Sequence, residues 1–103
     1  MTYQVLLTRE AKDDLRRLEE FLEAVARDSG DFDLPLRAVD RILEEFGVLE
    51  RNPFTCRRVS DDPFERELVI PFGKTGYVAL FRILSEEEVA VTAIRHQRED
   101  DYH

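Results

Sequence analysis

Near the middle of the chain the spacing of apolar residues changes, and this change limits the folds open to it. Leu15, Leu18, Leu22 and Val25 recur at steps of three and four, with Phe21 and Ala26 widening the stripe. Val39, Ile42, Leu43, Phe46 and Leu49 repeat the pattern. That period belongs to amphipathic helices, each with one greasy face to bury. Beyond residue 63 the apolar residues instead alternate with charged ones or run together, as strands do.

The helix ends are legible from capping chemistry. Thr8 has a hydroxyl suited to the free amides of a first turn, and Glu10 suits the positive end of the helix dipole. Asp28-Ser29-Gly30-Asp31 supplies a stop and a turn, so the first helix is expected to end near Asp28. Asp13 and Arg17, four apart, are expected to pair on its outer face. A second helix starts around Asp33 to Pro35, where an acidic cap and an early proline fit a helix start, and Asn52-Pro53 closes it. Two such helices joined by a short loop make an antiparallel hairpin.

The remaining segments read as strands. Tyr3 to Leu7 is too short for a helix, and Phe54 to Pro63 is polar and turn-rich, so it reads as a loop. Phe64 to Phe72 and Tyr77 to Leu84 flank Gly73-Lys74-Thr75-Gly76, a hairpin loop, and Glu88 to Arg95 follows the polar turn Ser85-Glu86-Glu87. The order β-α-α-β-β-β predicts a single α+β domain spanning residues 1–103. In it the helical hairpin packs on one face of a mainly antiparallel four-stranded sheet.

Composition narrows the function. Formal net charge is −8, with 7 basic and 13 acidic side chains in residues 1–50 against 8 and 10 in residues 51–103. Nucleic-acid binding rests on a basic footprint, so only a local patch in the second half can serve it. No apolar stretch approaches the roughly 20 residues of a membrane helix, and the start lacks the regions of a signal peptide, so a cytoplasmic protein without membrane contact is expected. Cys56 is the only cysteine, which excludes an internal disulfide. Two histidines and one cysteine without ligand spacing predict neither metal nor cofactor. No supporting residue orients Cys56 and His96 as a nucleophile and its base.

Several stretches carry a family resemblance. Tyr3-Gln4-Val5-Leu6-Leu7-Thr8 with Ala11 and Asp14-Leu15, and Leu49 through Asn52-Pro53, look like the strand-to-helix entry and second-helix exit of the RelE/ParE toxin superfamily. Arg66-Glu67-Leu68, Gly76-Tyr77 and Phe81-Arg82-Ile83 resemble its paired strands. Ala93 to Glu99 is similar to its closing strand and histidine-plus-arginine terminus, a feature of the ParE branch. The resemblance implies the toxin of a type II toxin-antitoxin module, restrained by a cognate antitoxin whose tail folds onto it. ParE-like members inhibit DNA gyrase without being enzymes, and RelE-like members cleave ribosome-bound mRNA.

Each branch points to its own residues. A ribonuclease needs a base, an acid and cations for the charged phosphorane, which His96, Tyr102 and Arg82 would supply. Val78, standing where the RelE-like enzymes place an arginine, and Glu99-Asp100-Asp101 beside Tyr102 argue against that chemistry. The ParE-like reading assigns target contacts to Arg66, Arg82, Arg95, His96 and Arg98. A degenerate toxin that only binds an antitoxin is the third reading. Bland roles compete: Arg82 pairing with Glu67 or Glu88, His96 ending a strand on a backbone carbonyl, Arg57 and Arg58 solvated in a loop, Tyr77 and Phe81 in the core. Antitoxin contacts are expected on the helices, at Leu18, Phe21, Leu22, Leu36 and Val39, where an amphipathic partner helix would bury apolar side chains.

Overall fold

The computed structural model describes residues 2–97. Strand β1 (Gln4–Leu7) leads into helix α1 (Arg9–Ser29), helix α2 (Leu34–Arg51) and a single 3₁₀ turn at Pro53–Thr55. Strands β2 (Arg57–Arg58), β3 (Glu65–Phe72), β4 (Thr75–Ile83) and β5 (Glu88–His96) follow. They form one mixed sheet in the order β1-β5-β4-β3-β2, with β1 parallel to β5 and every other pair antiparallel. The sheet thus has one strand more than expected. Arg57 and Arg58 are not loop residues but a two-residue edge strand that pairs with Glu67 and Arg66.

Capping chemistry sets the ends of α1, whereas Asp33, expected as an acidic cap, precedes α2 without a side-chain cap bond. The Thr8 hydroxyl accepts a hydrogen bond from the Ala11 amide, and Gly30 ends α1 in the left-handed conformation at φ 82°. There a side chain would be strained. The interhelix loop is held by a two-pronged contact of Arg37 on Asp31, at 3.0 and 2.7 Å. That contact keeps the Asp31 carboxyl below its usual range. On the outer face of α1 the pairs are Asp13 with Arg16 and Asp14 with Arg17, three apart rather than the expected Asp13 with Arg17. Asp14 prefers Arg17 because its other oxygen is anchored elsewhere, as described below.

Alternation along the strands sends one set of side chains toward the helices. Leu68 and Ile70 of β3, Tyr77, Ala79, Phe81 and Ile83 of β4, and Val89, Val91 and Ile94 of β5 join Leu22, Ile42, Phe46 and Leu49 in one core. Tyr77 and Phe81 are therefore core residues, as the bland reading held. The step of three from Val91 to Ile94 breaks the period of two. A bulge explains it: Leu80 pairs with Ala93 and Phe81 with Val91, leaving Thr92 as the extra residue. Gly73, at φ 61°, opens the tight β3–β4 turn, where type II′ geometry favours glycine. The other face of the sheet carries Glu65, Glu67, Leu80, Arg82 and Arg95, with Val78 and Ala90 buried among them.

Candidate functional site

The residues singled out in the sequence fall into two groups at opposite ends of β4. One group lies where β5 runs past β1. Strand β1 covers β5 only as far as Val91, so the following residues present an unpaired backbone edge beside α1. Asp14 reaches across and accepts the Ile94 amide at 3.0 Å, while its other oxygen pairs with Arg17. A carboxylate here does the work of a neighbouring strand for one amide, which a buried N–H requires.

Beside this contact opens a cleft of about 600 Å³ lined by Asp14, Arg17, Leu18, Phe21, Ile94, Arg95 and His96. The α1 members are spaced three, four and seven apart and so share one helix face. Phe21 is 62% exposed, far more than a large aromatic ring in a core. His96 is held in place: its Nε2 lies 3.1 Å from the Thr75 hydroxyl and its ring meets Tyr77 edge-on at 5.6 Å. At the strand end the ring thus meets a hydroxyl and an aromatic neighbour. Arg95 is exposed on the opposite side of the strand from Ile94 and His96.

The second group is occupied by internal contacts. Arg82 donates to Asp62 at 2.8 Å and Glu65 at 2.9 Å, not to Glu67 or Glu88. The Phe64 amide and then Arg82 hold the Asp62 carboxyl below its usual range. Arg66 donates to the carbonyls of Pro63, Phe54 and Cys56 at 2.8, 2.9 and 2.8 Å, and its guanidinium lies 5.2 Å from the centre of the Phe54 ring. It fastens the loop before β3 to the sheet. Glu67 is taken by Arg57.

The ribonuclease set does not converge among the described residues. Tyr77, which pairs with His96, is five residues from Arg82 on β4, roughly 17 Å at strand rise, and the two side chains lie on opposite faces of the sheet. Tyr102, Arg98 and Glu99–Asp101 lie outside the described residues. Burial pushes the Cys56 thiol up despite the nearby Arg66 charge, which disfavours the thiolate a nucleophile needs. No cluster of three metal-ligating side chains exists among the described residues, and no helix there is long and apolar enough to cross a membrane.

The helix residues expected to meet an antitoxin divide by burial. Phe21 and Leu36 are 62% and 63% exposed, Leu18 and Val39 are half-buried, and Leu22, at 6%, faces the core. Leu22 therefore supports the fold and offers little surface. Phe32 and Leu43 are also well exposed. Phe32 stands in the interhelix loop, outside either stripe, so periodicity cannot flag it.

A sequence model of the ParE toxin of type II toxin-antitoxin systems matches residues 5–101. The chain belongs to the ParE toxin family. Its fold matches a chain of the chromosomal ParDE toxin-antitoxin system from P. aeruginosa with a TM-score of 0.72 and 22% identity, covering 92% of this chain and 96% of that one. It also matches a chain of the toxin-antitoxin complex RelBE2 from Mycobacterium tuberculosis with a TM-score of 0.56 and 22% identity, covering 93% and 99%. No curated protein sequence gives a significant match. In this family member the cleft between α1 and β5 combines an exposed ring, a strand edge beyond the reach of β1 and an arginine, Arg95, without an ion pair among the described residues.

Proposed function

We propose that this ParE family member is a growth-inhibiting toxin that acts by binding DNA gyrase and is neutralised by a cognate antitoxin. The observation that carries the reading is the α1–β5 cleft. There the exposed Phe21 ring stands beside Arg17 and the last turn of strand before the C-terminal residues, with Arg95 exposed on the adjoining face. Aromatic and arginine side chains are the usual anchors of protein interfaces. The engagement of Arg82 by two carboxylates, and its distance from His96, support a binder over a ribonuclease.

An antitoxin partner is supported by the structural neighbours, which come from toxin-antitoxin assemblies. It is also supported by Phe21 and Leu36, exposed on an acidic helical hairpin. An amphipathic segment would bury them, and basic residues on it would be steered by the helix acids. Because Leu18 and Phe21 line the same cleft as Arg95 and His96, an antitoxin seated there blocks the target-facing strand end by occupying it.

Induction of the chain alone should arrest growth, and co-expression of a cognate antitoxin should restore it. Purified, folded protein should inhibit supercoiling by gyrase while messages in arrested cells stay intact. Cleaved messages with unimpaired gyrase would overturn the reading in favour of the ribonuclease. Unaffected growth with folded protein would leave only an antitoxin-binding relic.

A further inference from the structure

The other end of the sheet carries a second surface that the proposed function does not use. Phe54 and Phe64 meet edge to face, with ring centres 6.1 Å apart, yet they remain 47% and 45% exposed. Leu84, leaving β4 toward the turn, is 50% exposed beside them. With Tyr3, Ile83 and Ser85 they line a cleft of about 450 Å³. The guanidiniums that reach this area are committed, Arg66 to three backbone carbonyls and Arg82 to Asp62 and Glu65. Across the same β4–β5 turn lies a second hollow of about 390 Å³, lined by Thr2, Gln4, Glu87 and Glu88. Glu86, Glu87 and Glu88 make no ion pair among the described residues.

We propose that this end of the sheet is a docking surface for a protein segment with an aromatic or leucine anchor closely followed by lysine or arginine. The anchor enters the Phe54–Phe64–Leu84 cleft and the cation crosses the turn to Glu86–Glu88. Three considerations fix the chemistry of the occupant. Exposed apolar side chains gathered in one concave patch mark interaction sites, whereas isolated ones do not. The uncompensated carboxylates select a cationic neighbour and reject nucleic acid, whose phosphates they repel. A second copy of this chain would bring the same acids, and the same net charge of −8, against themselves. The surface lies at the opposite end of β4 from the α1–β5 cleft, so a partner can sit here while the other cleft is filled. The proposal is independent of which target the toxin inhibits.

A random dodecapeptide library displayed on phage, selected on the folded full chain made by cell-free synthesis, tests it. Enriched sequences should pair an aromatic residue or leucine with lysine or arginine. A synthetic peptide of the enriched sequence should shift amide resonances of Phe54, Phe64 and Leu84 rather than those of Phe21 and Leu36. Leu84→Ser should weaken that peptide by about tenfold, as loss of an interface anchor does. Glu86→Lys with Glu87→Lys should weaken it by roughly three- to tenfold, and added salt should shrink that difference. All three positions are exposed, so the fold survives these changes. Acidic or purely polar winners, or a peptide whose binding ignores both variants, would overturn the proposal. So would dimerisation in sedimentation experiments that Leu84→Ser abolishes, because it would make a second copy the occupant.

Discussion

Arg66 and Arg95 are both arginines of the sheet, yet they have opposite fates. Arg66 enters β3 beside a loop whose carbonyls have no strand to pair with, and its planar fork satisfies three of them while covering a phenyl ring. Arg95 leaves the end of β5 with no hydrogen-bond or ion-pair partner among the described residues and stands exposed. An arginine becomes structural where the backbone around it runs out of donors. It stays available for a partner where the neighbouring groups are already paired. Arg82 is intermediate, on the sheet face away from the helices between two carboxylates. Charge in the sequence is the same in all three cases, so acceptor supply is what separates them.

The contrast breaks most easily at Arg66. Arg66→Ala leaves three carbonyls short of a donor and uncovers Phe54, and we expect a loss of about 2 kcal/mol in urea unfolding. Arg66→Lys should restore little, because an ammonium cannot reproduce the fork. A variant as stable as the parent would show that water replaces the guanidinium at no cost. A somewhat smaller effect is expected at Asp14, whose carboxylate takes the Ile94 amide. Asp14→Ala should cost about 1 to 2 kcal/mol, and Asp14→Asn, which keeps an acceptor oxygen, much less. Hydrogen exchange at the Ile94 amide reports this contact directly: it should quicken in the alanine variant and stay slow in the asparagine variant.

These contacts also mark how far the sequence could be read. Both helices were legible because their stripes are local and Thr8, Gly30 and Asn52-Pro53 mark their ends, although Asp33 makes no side-chain cap bond at the start of α2. Strands β3 to β5 were legible for the same reason. The parallel pairing of β1 with β5 joins residues more than eighty positions apart, and no periodicity encodes it. Strand β2 escaped notice because two residues carry no pattern and exist as a strand only through Glu67 and Arg66 opposite. At the candidate site, Phe21, Arg95 and His96 could be named in advance but not brought together. The Asp14 contact that shapes their cleft is a long-range side-chain to backbone bond. The loop-fastening contacts of Arg66 were not legible because its acceptors are backbone carbonyls, which every sequence has and none displays.

Arg82 sharpens the comparison through pH. The Phe64 amide, and then Arg82, hold the Asp62 carboxyl below its ordinary value, so the folded state favours the charged form. A depressed carboxylate contributes stability above its unfolded value, about 3.9, and that stability is lost as pH falls through the lower folded value. Arg82→Ala removes the charge but keeps the amide. At neutral pH the variant should be less stable than the parent by less than Arg66→Ala is, since the pair is well exposed. The two urea midpoints should converge once the pH has fallen through the lowered folded value and Asp62 is protonated. A gap that persists there would mean that Arg82 stabilises through packing of its stem and not through Asp62.

Arg95 should give the smallest effect on stability. Its side chain is exposed and has no ion-pair partner among the described residues, so Arg95→Glu should move the unfolding free energy by no more than about 0.5 kcal/mol. Growth arrest, in contrast, should weaken clearly, because the exchange inverts a charge beside the α1–β5 cleft where a macromolecular target would meet the sheet. Thr92→Glu, a change at an exposed position on the bulge of the same strand, is the control for added negative charge that leaves Arg95 in place. If Arg95→Glu lowered stability and toxicity together, Arg95 would belong with Arg66 as a structural residue. The distinction between committed and available arginines would then fail at the strand end where it matters most.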